Sequence, residues 1–142
     1  MLNARDISIL LILLTALICD NTSGLIPNTL LIFSAILSTV LYIAEPPPAD
    51  FKTVHFLLPI LLFFLILRRR GKIGGGDIKL FIIIMLFYPD ASGLYIIALS
   101  FLFNLIYGLV RLILLKRHDI PMATGAFASA LFIILKNAGG LP

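Results

Sequence analysis

Six apolar runs dominate this 142-residue sequence, at positions 7–19, 26–44, 53–67, 78–88, 93–115 and 121–135. A helix that crosses the hydrocarbon core of a bilayer needs about 20 residues, with a range of about 17–25. Hydrophobic residues make up 61% of the chain and charged residues 13%, whereas a soluble domain has about 45–50% and about 25%. We therefore expect an all-α integral membrane protein with about six transmembrane helices, formed as one domain over residues 1–142.

The positively charged residues predict how this chain is oriented. If the spans alternate, eight Lys and Arg fall on one side, at 68, 69, 70, 72, 79, 111, 116 and 117, and three on the other, at 5, 52 and 136. Cytoplasmic loops carry the excess of Lys and Arg. The first side is then cytoplasmic, and both termini lie outside, in the periplasm of a cell with an inner membrane. The net charge of +4 is explained by topology, and nucleic-acid binding is not expected.

The fourth run is too short for the bilayer. From Asp77 to Tyr88, a helix rising about 1.5 Å per residue covers about 18 Å, against a hydrocarbon core of about 30 Å. Either the helix continues past Pro89, or it begins below the membrane surface. The second option places Gly74–Asp77 at the cytoplasmic edge of the bilayer, where irregular backbone must face protein or water.

Two acids stand at the cytoplasmic ends of predicted spans: Asp20 ends the first and Asp77 begins the fourth. Acids at membrane depth are rare and point to function. Two neighbouring carboxylates share a proton, so that one accepts a proton from water while the other donates to a carbonyl. This pattern is typical of an aspartic protease. The alternative is a small transporter that uses the same acids for a cation or protons, although its site is expected near the bilayer midplane.

Three segments together resemble the type IV prepilin peptidases, which are membrane-embedded GxGD aspartyl proteases. They are Asp20 followed six residues later by Ile26–Asn28, the motif at Gly74–Leu80, and the Pro-plus-small-residue segment that begins at Ile120. The resemblance implies cleavage of the leader of prepilin-like proteins at the cytoplasmic face of the inner membrane. It also implies that Asp20 and Asp77 are the catalytic pair. The implied motif and substrate-binding residues are Pro27, Asn28, Gly74, Gly75, Gly76 and Lys79.

The compact size is similar to that of the small peptidases of tight-adherence (Flp-type) pilus systems. The larger members carry a domain with cysteine pairs that is tied to N-methylation, and this chain has only Cys19, so cleavage without methylation is expected. Small members often carry basic residues before the Ile-Pro-Asn segment, but residues 21–25 are uncharged. His55 and His118 fall on opposite predicted sides, and no metal or other cofactor is expected.

Two further side chains are interpreted from position alone. Lys79 follows Asp77 by two residues and is expected either to reach lipid phosphate or to place a positive charge near a carboxylate. Asn104 is a lone polar residue in the fifth run, where a hydrogen bond to another helix is expected. Small residues around Gly125 predict close packing of the last helix.

Overall fold

The computed structural model describes residues 3–44, 62, 66, 68–69, 74–115 and 122–139, except for the side chains at 112, 114 and 115. Within these ranges the chain is helical and contains no strand. The helices are α1 (Ala4–Ser23), α2 (Asn28–Ala44), α3 (Gly75–Phe87), α4 (Ala91–Leu115) and α5 (Met122–Gly139). The all-α prediction is confirmed over the described residues.

Three of these helices are long and apolar enough to cross a membrane: Ala4–Ser23, Ala91–Arg111 and Met122–Gly139. The helix α2 is apolar but, at 17 residues, slightly shorter. The predicted run at 53–67 lies almost entirely outside the described residues. The membrane assignment therefore rests on these apolar helices, and the number of six spans and the orientation stay predictions.

Local signals account for both ends of α1. At its start Asp6 N–H donates to Asn3 Oδ1 at 2.9 Å and Asn3 N–H donates to Asp6 Oδ2 at 3.2 Å, which is a reciprocal capping box. At its end Gly24 adopts a φ of 65° and donates its N–H to the Asp20 carbonyl at 3.0 Å. A left-handed residue is favourable for glycine and ends a helix. Asp20 therefore lies in the last turn of α1.

The short helix α3 is the centre of the bundle, because it packs against each of α1, α2, α4 and α5. Its buried side chains surround the helix axis and are Ile78, Leu80, Phe81, Ile83, Ile84 and Phe87. A helix that is apolar on all sides is expected to be enclosed. It ends at Phe87, where Tyr88 N–H donates to the Ile84 carbonyl at 2.9 Å. The alternative in which this helix continues past Pro89 is therefore wrong.

The exposed surface of the bundle is more apolar than parts of its interior. In α2, every residue of which is described, the two buried residues are Ser34 and Ser38, whose hydroxyls donate to carbonyls of their own helix. The exposed side chains of α2 are large and apolar: Ile32, Phe33, Ile36, Val40 and Ile43. A soluble protein buries such residues first. This arrangement is the one expected when lipid, and not water, surrounds the helices.

The helices α1 and α3 run antiparallel, which decides where the acids lie. At one end of the pair, Tyr88 at the end of α3 donates its hydroxyl to Asp6 at the start of α1. At the opposite end, the last turn of α1 and the first turn of α3 carry Asp20 and Asp77. The register of two packed helices thus brings together two residues that are 57 positions apart in the sequence.

Candidate active site

Asp20 is held from two directions. Its backbone carbonyl closes the end of α1 by accepting from Gly24. Its side-chain Oδ2 accepts a hydrogen bond from Ala123 N–H, in the first turn of α5, at 3.3 Å. The first N–H groups of a helix have no partner within that helix, and they favour an anion. The carboxylate of Asp20 is therefore fixed against α5 although it belongs to α1.

Asp77 lies in the first turn of α3, and its Oδ2 accepts from Gly74 N–H at 3.1 Å. An acid in the first turn of a helix is stabilised by the unpaired N–H groups there. The Asp77 side chain is half-buried. The backbone bond and the packing of α3 together fix the direction of this carboxylate.

The carboxylates of Asp20 and Asp77 lie at the same end of the α1–α3 pair, in the last turn of α1 and the first turn of α3. The negative charge of Asp20 acts electrostatically on the carboxyl of Asp77. Within the described ranges, the one protein donor to each carboxylate is a backbone N–H that reaches Oδ2. No residue in the described ranges donates a hydrogen bond to Oδ1 of either group.

The glycines before Asp77 act through close approach and not through unusual backbone angles, since Gly24 is the only described glycine with a positive φ. A Cβ atom on Gly74 would lie 3.3 Å from Asp77 Oδ2, which is tighter than ordinary contact. A Cβ on Gly76 would lie 3.5 Å from the Ile26 side chain. Gly74 thus leaves room for the carboxylate, and Gly76 lets α3 pack against the segment between α1 and α2.

Lys79 points to the protein and not away from it. Its Nζ donates to the backbone carbonyl of Ile26 at 2.6 Å, which joins α3 to the segment that follows α1. Ile26 itself is buried, with 3% of its surface exposed. The observed geometry therefore differs from the interpretation in which Lys79 reaches lipid phosphate. The cation instead stabilises the connection between the helix that carries Asp20 and the helix that carries Asp77.

Pro27 and Asn28 mark the start of α2, which begins at Asn28. Both residues are exposed, and the Pro27 carbonyl accepts from Leu30 N–H at 3.2 Å. Among the described residues, no hydrogen bond joins Asn28 to Asp20. These two residues lie at the turn where α2 begins.

Sequence reasoning missed the contribution of α5. The segment at Ile120 was noted only as a small-residue helix, but Ala123 N–H is the donor that holds Asp20. The prediction that Asn104 bonds to another helix is confirmed: its Oδ1 accepts from Gly125 N–H at 3.1 Å. A backbone donor has no sequence signature, so only the hydrophobic pattern and the small residues could have indicated this contact.

No group of three or more His, Cys, Asp or Glu that could hold a metal ion occurs within the described ranges. Around the two acids the structure places the backbone donors Gly74 N–H and Ala123 N–H. A carboxyl pair of this kind performs general acid and general base catalysis when one group is protonated and the other is ionised.

Comparison with known proteins identifies the family of this chain. A family model described as the type IV leader peptidase family matches residues 7–109, which is more than two thirds of the chain and includes both Asp20 and Asp77. No curated protein and no solved structure shows significant similarity to the chain. The match favours a peptidase over the transporter alternative. It ends before α5, and it covers all of α2 and α3 and most of α1 and α4, including the two helices that carry Asp20 and Asp77: the chain belongs to the type IV leader peptidase family.

Proposed function

We propose that this protein is an aspartic endopeptidase that removes the leader of prepilin-like proteins, with Asp20 and Asp77 as the catalytic pair. One observation carries this proposal: two half-buried carboxylates lie at the same end of the antiparallel helices α1 and α3, and the charge of one acts on the other. The family assignment supports leader peptides as the substrate class. The chemistry then needs only the two acids, one water molecule and the substrate peptide.

In the proposed reaction the ionised carboxylate takes a proton from water while the oxygen of that water attacks the scissile carbonyl carbon. The protonated carboxyl donates its proton to the carbonyl oxygen, which gives a neutral tetrahedral diol. The C–N bond then breaks as the nitrogen accepts a proton from one Asp, and the diol returns a proton to the other. The products are a carboxylic acid and an amine, and the pair again holds one proton. Acid–base catalysis of this type contributes about 10²–10⁴-fold.

The depth of the site favours a substrate that enters from the membrane. The apolar span of α4 runs from Ala91 to Arg111, and Asn104 contacts the first turn of α5, which holds Asp20. The part of this span beyond Asn104 adds about 10 Å at about 1.5 Å per residue. It exposes Leu105, Ile106, Leu109 and Val110. This arrangement supports carboxylates that lie below the end of the apolar surface, a depth that suits a leader cut at the cytoplasmic boundary.

The excess of Lys and Arg on one predicted side makes the carboxylate end cytoplasmic. Leader cleavage then takes place at the cytoplasmic face of the inner membrane, as inferred from the resemblance. The sequence contains a single cysteine and so has no cysteine pair of the kind that is tied to N-methylation in larger members of the family. We therefore propose leader cleavage without N-methylation for residues 1–142.

The test replaces each acid by its amide. Asp20→Asn and Asp77→Asn keep the shape of the side chain and remove the ionisable proton, so each variant is expected to lose cleavage by at least about 10²-fold. The assay is the size shift of a co-expressed prepilin, with the membrane level of every variant measured in parallel. Asp119→Asn is the control, since this acid lies among Lys116, Arg117 and His118 and balances their charge.

Two outcomes would contradict the proposal. Leader cleavage that survives Asp20→Asn or Asp77→Asn but is lost in Asp119→Asn would show that the pair is wrongly assigned. A wild-type protein that cuts no prepilin, and conducts a cation in a manner dependent on the same two acids, would favour transport.

A further inference from the structure

Asn104 in α4 is an almost completely buried polar side chain, with 5% of its surface exposed. Its Nδ2 donates to the Met122 carbonyl at 3.1 Å, and its Oδ1 accepts from Gly125 N–H at 3.1 Å. A Cβ atom on Gly125 would lie only 2.5 Å from the amide of Asn104. The amide is therefore fitted into the first turn of α5, and glycine at 125 makes the space for it.

One peptide group connects this amide to Asp20. The carbonyl of Met122 and the N–H of Ala123 belong to the same planar unit, in which they point in opposite directions when the bond is trans. No described peptide bond is cis. The carbonyl side of this unit accepts from Asn104 and the N–H side donates to Asp20 Oδ2 at 3.3 Å. Hydrogen bonds in such a chain polarise and strengthen one another.

We propose that Asn104 is a positioning residue for Asp20 and that it acts through the peptide group between Met122 and Ala123. This inference rests on the proposed function, because it gives Asn104 its role through the carboxylate of Asp20. Asn104 fixes the orientation of the peptide plane, so that Ala123 N–H points at the carboxylate. The geometry of the catalytic pair is then set by three helices, α1, α3 and α5, with α4 holding α5 in place.

A matched control exists on the same pair of helices. Ser100 in α4 and Ser129 in α5 are both buried, and their hydroxyls form a hydrogen bond at 2.7 Å. Each serine lies about one turn further from Asp20 than Asn104 or Gly125. Ser100→Ala removes a buried polar contact between α4 and α5 without touching the peptide group that holds Asp20. If looser packing between α4 and α5 were enough to slow cleavage, Ser100→Ala would slow it as well.

The experiment measures kcat and KM for leader cleavage by the full chain, purified in detergent micelles, with a synthetic prepilin. Asn104→Leu has a similar volume and removes both hydrogen bonds. It is expected to lower kcat by about 10–100-fold, the range found when groups that orient a reactive centre are removed, with KM unchanged. Ser100→Ala is expected to keep the wild-type kcat.

Two further variants test the relay itself. In Asn104→Asp a neutral carboxyl offers one O–H donor and one carbonyl acceptor, so it can reproduce both bonds, and kcat is expected to recover most of the loss. Gly125→Ala leaves Asn104 in the sequence but displaces its amide, because the added Cβ would lie 2.5 Å from it. This variant is expected to lower kcat in the same way as Asn104→Leu.

The inference is overturned if Asn104→Leu and Ser100→Ala lower kcat equally, or if Asn104→Asp is no better than Asn104→Leu. It is also overturned if the loss is entirely in KM. Asp20→Asn and Asp77→Asn in the same assay separate this result from the proposed function. If they abolish cleavage while Asn104→Leu has no effect, the catalytic pair stands and only the role of Asn104 is wrong.

Discussion

The two ends of the antiparallel α1–α3 pair both contain an acid of α1, but the two acids are paired in different ways. At one end Asp6 accepts from the Tyr88 hydroxyl and from Asn3 N–H, so both of its oxygens have a protein donor. At the other end the side chain of Asp20 accepts from one backbone N–H among the described residues, and its charge acts on a second carboxylate, that of Asp77. The Asp6 end stabilises the helix pair, whereas the Asp20 end is the one proposed to carry out the reaction.

The two ends also differ in how their acids affect the stability of the helix pair. A hydrogen bond to a charged group contributes about 1.5–3 kcal/mol, so the Asp6 contacts help to set the register of α1 and α3. Two facing carboxylates repel when both are ionised, so the Asp20 end opposes the same packing unless a proton is shared. The fold tolerates that cost where α1, α3 and α5 meet. Destabilised groups of this kind are typical of functional sites.

The largest expected effect compares the same substitution at the two ends of α1. Asp6→Asn keeps one acceptor oxygen and replaces the other by an NH2 donor, so one of the bonds from Tyr88 and Asn3 is lost. Because Asp6 lies at the end of α1 opposite to Asp20, cleavage is still expected to stay near the wild-type rate. Asp20→Asn is expected to be slower by at least about 10²-fold, since it removes the ionisable proton. Initial rates of leader cleavage at equal membrane levels measure the contrast. Equal losses at both ends would show that the two acids act only through folding.

An intermediate effect is expected at Lys79, which supports the Asp20 end through the Ile26 carbonyl. Lys79→Met keeps most of the side-chain length and removes the donor. Loss of a charged hydrogen bond costs about 1.5–3 kcal/mol, so the thermal unfolding midpoint in micelles and the cleavage rate should both fall. Lys79→Arg retains a cationic donor and is the control. An unchanged midpoint in Lys79→Met would instead support a side chain that only contacts lipid phosphate.

The smallest effect on activity is expected at Tyr88, on the Asp6 end. Tyr88→Phe removes the hydroxyl that donates to Asp6, which should lower the free energy of unfolding by about 1.5–3 kcal/mol and leave the cleavage rate unchanged. A fall in kcat without a fall in stability would contradict the division between the two ends.

The pH dependence of stability gives a second measurement at Tyr88. Burial, and then the hydrogen bond to Asp6, raise the pKa of Tyr88 above its ordinary value of 10.0. A raised folded-state pKa means that the contribution to stability is complete below the unfolded pKa and is lost as the pH rises through the folded one. The unfolding midpoint of the wild type should therefore fall above about pH 10, and the fall should be smaller in Tyr88→Phe.

Much of the fold could be predicted from the chain itself, whereas the assignment of the two acids as a catalytic pair stays a prediction. Apolar runs must be covered by lipid or protein, and an acid beside such a run is costly unless it has a function. Local chemistry also predicts where helices stop, because Gly24 takes a left-handed conformation and Pro89 cannot continue α3. These signals act over a few residues, so they are readable without the folded structure.

What only the tertiary structure decided is how the carboxylates are held. The donor to Asp20 is the N–H of Ala123, the partner of Lys79 is the carbonyl of Ile26, and Asn104 reaches Asp20 through a peptide group. Every residue has such backbone groups, so composition and spacing cannot single out these three. Their selection depends on the rotation and register of packed helices, which many weak side-chain contacts set together. The sequence by itself therefore determined that Asp20 and Asp77 stand at the ends of apolar runs, and helix packing determined which groups hold them.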